Sequence, residues 1–352
     1  MLRNERESST TRIFSNNHAF YFAQMVFLYI MDKKKIIFFV LKLAVTGLVF
    51  LWIDRTFGFP RIVHTLEAAD FRWFAAAVFL HVASIFMGAW QWRIILKNRG
   101  LILRKFETFK LYYTGMFFNN FIFGTIAGDS FKVAVLHQKK KKAKLGFAAT
   151  FLDRFAGLAV LSLFAVAGAV IMVITKSHEN EYFYAAFVVL LFFSAVLSAV
   201  FLVLFSKRTQ VLLSDILLKF PGSNIAKKLE DIVASVYMDR KNGADTKMFR
   251  RIFALSFFIQ GLRICTHIFC AAAIGVFAFS TAHYFFVIIP ITAILMLIPL
   301  PFGVIPAISG AIFATAGFDA QEATVMQFLA AIVGVIGSLA GMVFFLTDNK
   351  SK

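Results

Sequence analysis

The chain has 352 residues, 60% of them hydrophobic, with a mean hydropathy of +0.77 and a formal net charge of +18. Several apolar runs reach the ~20 residues needed to cross a hydrocarbon core of about 30 Å, so the sequence reads as a polytopic integral membrane protein, an all-α helical bundle. No polar stretch is long enough for a soluble catalytic domain, and the two cysteines, Cys265 and Cys270, share one apolar run and suggest neither a disulfide framework nor a metal site.

Residues 1–30 are polar and unpatterned and read as a disordered cytoplasmic leader without the small-residue cleavage site of a signal peptide. The stretch "MDKKKIIFFVLKLAV" from Met31 looks like a natural membrane-protein start, so Met1 and Met31 are both candidate first residues. Residues 31–352 read as a single membrane domain. Six full spans are expected, at about 36–54, 73–92, 145–175, 184–206, 252–279 and 324–346. Two further apolar runs, 111–128 and 284–316, are interrupted by Gly, Asn or Pro.

Lys and Arg collect on the cytoplasmic side of membrane proteins, which allows the loops to be assigned by counting. The N-terminal 35 residues, 93–110, 129–144, 207–251 and the tail from Asp348 hold 30 of the 37 basic residues but only 11 of the 19 acidic ones. The remaining loops carry 4 basic residues against 7 acidic. Both termini and the loop 207–251 are therefore expected in the cytoplasm, and a bacterial inner membrane is the expected location.

The same count gives the broken run 111–128 two cytoplasmic flanks, "WRIILKNRGLILRKF" and "FKVAVLHQKKKKAK". A segment that enters and leaves on one face is a re-entrant hairpin, tolerated at membrane depth only where its irregular backbone is buried in protein or lines a polar cavity. Asn119, Asn120, Gly124 and Gly128 suit its tip and return arm. The second broken run has His283 on one flank and Asp319 and Glu322 on the other, both on the outer side, and its Pro290, Pro299, Pro301 and Pro306 do not all fit one regular helix. Six spans plus two broken-helix hairpins entering from opposite faces keep every basic loop inside, a scheme like that of inverted-repeat transporters.

Ionisable residues inside spans are expensive and are functional candidates by default. Lys42 is placed to snorkel to the headgroups. Asp153 and Arg154 are adjacent, point about 100° apart on a helix, and each needs a partner elsewhere. Asp129 and Lys132, in the exit of the hairpin, could supply a crossed pairing: Asp129 with Arg154 and Lys132 with Asp153. The quartet either pins the hairpin to the next helix or lines a polar cavity offering a cation to an anionic headgroup. Gln260, Arg263 and His267 share one helical face. Lys139 to Lys142 read as a solvated cytoplasmic stop signal that also attracts anionic lipid. No metal site, nucleotide loop or catalytic constellation is seen. The basic charges flank spans instead of forming a face with aromatics, which sets nucleic acid aside.

The segment "WQWRIILKNRGL", followed by "FETFKLYYTGMFFNNFIFGTIAGDSFKVAVLHQKKKKAKLGFAATFLDRFAGLAVL", resembles the membrane-embedded flippase-like domain of the lysylphosphatidylglycerol synthase family. That family shows a basic Trp-Arg segment, a hairpin ending in Gly-Gly-Asp with an Arg three residues later, and an Asp/Glu-Arg pair early in the next span. The matching positions here are Arg93, Ala127-Gly128-Asp129, Lys132, and Asp153-Arg154 with Gly157 beyond. Lys132 stands where Arg is usual, and the family's second motif is reduced to "IPLPFGVIPAISGA", which has no charged residue.

The resemblance implies translocation or sequestration of a lipid with an anionic or glycosylated, for instance polyprenyl-linked, headgroup. The family's full-length synthases add a soluble aminoacyl-transferase domain; none is seen here, so neither aminoacylation nor any other enzyme activity is expected, and no cofactor. The leading expectation is a lipid flippase or scramblase-like transporter, with Asn119, Asn120, Gly128, Asp129, Lys132, Asp153, Arg154 and Arg263 as candidate substrate-binding residues. The alternative is a non-transporting membrane partner that docks a glycosyltransferase or lipid-modifying enzyme through residues 207–251.

Overall fold

The computed structural model of the chain describes residues 44, 46–52, 54–120, 125–140, 142–175, 188, 190–192, 194–199, 201–202, 206, 208, 211–212, 215, 243–298, 300–301 and 303–347. The expected leader, Lys42, the hairpin tip at 121–124, Pro299 and most of the loop 207–251 lie outside the described residues. So do much of the expected spans 36–54 and 184–206, although residues 46–52, 190–192 and 194–199 are helical.

Nine helices carry the described architecture: α1 Phe59–Glu67, α2 Phe71–Asn98, α3 Lys105–Phe118, α4 Thr125–Lys140, α5 Ala143–Ile174, α6 Gly243–Ala273, α7 Ala282–Leu295, α8 Val304–Thr315 and α9 Ala320–Thr347. Four helices are long and apolar enough to cross a membrane: Phe71–Asn98, Ala143–Ile174, Asp245–Ala273 and Ala320–Thr347. Each overlaps an expected span. Their ends are set by local chemistry. Asp70 caps α2 by accepting the Arg72 backbone N–H at 2.8 Å, and Asp319 caps α9 by accepting those of Gln321 and Glu322 at 2.9 and 3.0 Å.

The helix ends do not coincide with the ends of the expected apolar spans. Residues 243–251, at the end of the expected cytoplasmic loop, are helical and continuous with the rest of α6. At its other end α6 stops at Ala273, short of the expected 279, since Gly275 adopts a left-handed φ of 80° that reverses the chain.

Each broken run forms a pair of short helices in contact with each other, α3 with α4 and α7 with α8. With 14, 16, 14 and 12 residues, they are about 18–24 Å long at 1.5 Å per residue, short of the hydrocarbon thickness. The arms of the first pair reach into the basic flanks, beyond the expected 111–128. Pro290 lies inside α7, and Pro306 sits in the first turn of α8, where its missing N–H would have had no intrahelical partner.

The bundle closes through small residues. A methyl at Gly128 of α4 would run into the Gly115 carbonyl of α3, and one at Gly341 of α9 into the Tyr113 carbonyl. Without a hydrophobic driving force in lipid, such close approach is how helices gain packing energy. The most extensive contact joins α2 to α6, fastened at one end by the Asp70 N–H donating to the Ala273 carbonyl at 2.8 Å.

Two apolar clusters stack along the bundle. One gathers Ile85, Trp92, Leu96, Leu152 and Ile252, the other Ala77, Leu161, Ile264, Phe285 and Met326. Between them, α2 carries His81 and Ser84 and α6 carries Ser256, Gln260 and Arg263. The bundle therefore has a polar layer between two oily ones.

Candidate functional site

Five helices converge on the first polar group. From α4, Asp129 accepts from Arg154 of α5 twice, Nε to Oδ2 at 2.9 Å and Nη2 to Oδ1 at 3.2 Å. Lys132 Nζ lies 2.9 Å from the same Asp129 Oδ1, one helical turn along, and rests over the rings of Tyr112 and Trp92 at 4.7 and 5.2 Å. Those rings hold the ammonium where water is excluded, the setting in which a cation–π contact is strongest.

The expected crossed pairing is therefore found in one half only. Arg154 pairs with Asp129, but Lys132 also turns to Asp129 and leaves Asp153 to neutral donors. Gln91 Nε2 donates to Asp153 Oδ1 at 3.0 Å and the Tyr112 hydroxyl donates to Oδ2 at 3.4 Å. Gln91 is oriented in turn by Ser256 Oγ, which donates to its Oε1 at 2.9 Å. Lys132 reaches Asp129 because the two lie on one face of the same short helix, three residues apart. Asp153 points away, toward α2 and α3.

Arg263 of α6 stands beside Tyr112, with Asp153 and Arg154 near it. Its Nη1 donates to Gln260 Oε1 at 3.5 Å, and among the described residues no carboxylate pairs with it. Lys132, Arg154 and Arg263 thus face two carboxylates, one cation in excess. Lys132 and Asp153 are buried at 2% and 7% exposure, whereas the side chains of Arg154 and Asp129 keep 27% and 20% uncovered by protein. Charged groups bare at this depth need water or a polar headgroup.

Asn119, Asn120 and Gly128 hold the first helix pair in shape. Asn119 Oδ1 accepts the Gly128 N–H at 2.8 Å across the two arms, and Asn120 Nδ2 donates to the Gly334 carbonyl and to Ser338 Oγ of α9, each at 2.9 Å. The wider turn at Asn119 and Asn120, past the regular end of α3, turns both amides toward these partners. Arg93, near the Asn98 end of α2, has its guanidinium carbon 6.0 Å from the centre of the Trp90 ring.

An apolar cleft of about 340 Å³ runs between helical residues 46–52 and α8, lined by Leu48, Val49, Trp52, Val304, Ala307 and Ile308 among others.

The family model for the lysylphosphatidylglycerol synthase TM region matches residues 39–342, most of the chain. The chain belongs to that family. No curated protein matches it. Membership in the lysylphosphatidylglycerol synthase TM-region family agrees with the four long apolar helices in making this an integral membrane protein. Of the positions that carry the resemblance, Asp129, Lys132 and Arg154 meet where α4 packs on α5, with Ala127, Gly128, Asp153 and Gly157 on the same two helices and Arg93 on α2.

Sequence reasoning missed Gln91, Tyr112 and Ser256, which complete the Asp153 environment, and His81 and Gln327, the first set against Gly337 of α9 and the second beside His267. Each stands out as a polar residue in an apolar span.

Proposed function

We propose that this domain moves a lipid with an anionic headgroup between bilayer leaflets, the headgroup following the polar layer while the acyl chains stay in the hydrocarbon. The single observation that carries the reading is the excess cation: Lys132, Arg154 and Arg263 against Asp129 and Asp153, at a depth where an uncompensated charge is costly unless a counter-ion visits it. Arg154 and Asp129, uncovered in part, form the entrance. In this reading α3–α4 and α7–α8 are re-entrant hairpins entering from opposite faces, their lengths being too short to span. Asn119, Asn120 and Gly128 serve as scaffold. The apolar cleft beside α8 suits an acyl chain. The domain sits in a bacterial cytoplasmic membrane with both termini in the cytoplasm.

The test is reconstitution of the purified chain into liposomes with labelled phosphatidylglycerol, polyprenyl-phosphate lipid or a neutral glycolipid. Accelerated leaflet exchange of the phosphate-bearing lipids is expected. Inactivity with every one of them would overturn the proposal.

A further inference from the structure

On α2, two tryptophans two positions apart face opposite ways. The Trp92 ring lies beneath Lys132 in the ion cluster, whereas Trp90, about 200° round the helix, is 43% exposed. With Phe79, Val82 and Phe86, Trp90 makes a stripe of exposed apolar side chains at spacings of three and four, the face that a membrane span turns to lipid. Toward the Asn98 end the same stripe continues as Arg93 and Lys97.

Two cations gather on Trp90. The Arg93 guanidinium carbon lies 6.0 Å and Lys105 Nζ 5.9 Å from the centre of its ring, so they are no more than about 12 Å apart. Among the described residues neither is joined to a carboxylate, and Arg93 Nε is buried with no hydrogen-bond partner.

A cation near the end of a span ordinarily snorkels toward water. These two do the opposite. Arg93 stands about 7.5 Å from the Asn98 end of α2, and its side chain reaches back to a residue three positions further in. Lys105, the first residue of α3, starts level with Trp90. Phe109 meets Phe86 at 5.5 Å, ring to ring, and Lys105 meets Trp90 in the same antiparallel register one turn along. Arg104 and Lys105 also open α3, where the helix dipole disfavours cations, and only Glu107 in that first turn is acidic.

Two like charges turned toward hydrocarbon need an anion, and the indole face offsets only part of their cost. On a surface presented to the bilayer, that anion comes from the bilayer. A phospholipid phosphate lies at headgroup level, and its acyl chain runs inward along the apolar stripe. A free anion would leave the stripe uncovered.

We propose that Trp90, Arg93 and Lys105 form a binding site for one anionic phospholipid of the leaflet at the Asn98 end of α2. Its phosphate lies between the two cations and one acyl chain lies along Phe86. The site faces away from the Asp129–Arg154 pair, and it rests on the membrane embedding of the chain, not on translocation.

The experiment reconstitutes the full chain with phosphatidylglycerol or phosphatidylcholine carrying brominated acyl chains, which quench indole fluorescence on contact. Subtracting the signal of Trp90→Phe isolates Trp90 from Trp52, Trp73 and Trp92. In mixtures of the two lipids, phosphatidylglycerol is preferred at Trp90 by roughly tenfold or more. Arg93→Gln and Lys105→Gln each lower that preference about fivefold, the factor that one interfacial cation supplies, and the double variant abolishes it. Lys105→Gln leaves the chain as stable as the parent or more so, because it removes a cation from the start of α3. A structural role for the pair would show instead as lost stability with the preference intact, and would overturn the site.

Lys97→Gln is the control, the same charge change one turn nearer the water, and it lowers the preference by less than about twofold. Equal quenching by both lipids in the parent, or a loss in Lys97→Gln as large as in Arg93→Gln, overturns the site. Leaflet exchange plays no part in this measurement, so the lipid site and the translocation reading stand or fall separately.

Discussion

Arg154 holds Asp129 through two nitrogens, Nε at 2.9 Å and Nη2 at 3.2 Å, so the first turns of α4 are clamped side-on to the middle of α5. Removing one partner of a buried pair costs about 3–5 kcal/mol, and the 20–27% exposure here places the cost at the lower end. Asp129→Asn is therefore expected to lower the yield of monodisperse protein after detergent extraction. Arg154→Lys keeps the charge but loses the fork, and should cost about 1–2 kcal/mol. The double exchange Asp129→Arg with Arg154→Asp places a second cation beside Lys132, so yield returns in part and lipid exchange does not. An Asp129→Asn protein that is both stable and fully active would show that the clamp serves neither folding nor transport.

Asp153 behaves differently because its partners are neutral. An asparagine there still accepts from Gln91, so Asp153→Asn is expected to cost about 1 kcal/mol, well under the cost of Asp129→Asn. Asp153→Leu strands Gln91 and Tyr112 and should cost more. Thermal unfolding of the three variants, followed by tryptophan fluorescence in one detergent, ranks them. Equal losses for Asp129→Asn and Asp153→Asn would mean that Lys132 relies on both carboxylates.

The closeness of α3 and α4 at Gly128 gives a test that involves no charge. Gly128→Ala drives a methyl into the Gly115 carbonyl and against Asn119 Oδ1, and overpacking of this kind costs about 1–3 kcal/mol or more. Gly261→Ala, where the nearest neighbour is Phe164 at 3.9 Å, is the matched control, and it should be neutral or stabilising by up to ~1 kcal/mol through helix propensity. A melting temperature unchanged by Gly128→Ala would argue that the helix pair is more loosely joined than the structure has it.

Topology can be checked with single cysteines in a background lacking Cys265 and Cys270. Lys97 and Gln138 are exposed near the Asn98 end of α2 and the Lys140 end of α4, and Glu67 and Asp319 are exposed beside the Phe71 end of α2 and the Ala320 end of α9. A membrane-impermeant maleimide on oriented vesicles should label Lys97→Cys and Gln138→Cys from one side and Glu67→Cys and Asp319→Cys from the other. Labelling of the first two from opposite faces would make α3–α4 a crossing segment and end the hairpin reading.

Length, hydropathy and the placement of Lys and Arg were enough to make this chain a helical membrane protein, because an apolar run of some 20 residues leaves the backbone no other way to satisfy itself in lipid. The Gly128-Asp129 turn, Lys132 and the Asp153-Arg154 pair were legible for the same reason: charge in an oily run is conspicuous and demands a partner. Which partner it takes was not legible. Lys132 chose Asp129 over Asp153 because helix geometry puts residues three apart on one face, while the rings of Trp92 and Tyr112, from two other helices, cradle its ammonium. Asp153 is satisfied by Gln91 and Tyr112, and no spacing in the sequence joins positions 91, 112 and 153. Likewise His81, His267 and Gln327 are isolated polar letters in three separate spans. Only the packing of α2, α6 and α9 sets the His81 ring against Gly337 and the His267 ring beside the Gln327 side chain, since side-chain chemistry is written along the chain but the distances between helices are set by where the small residues let them touch.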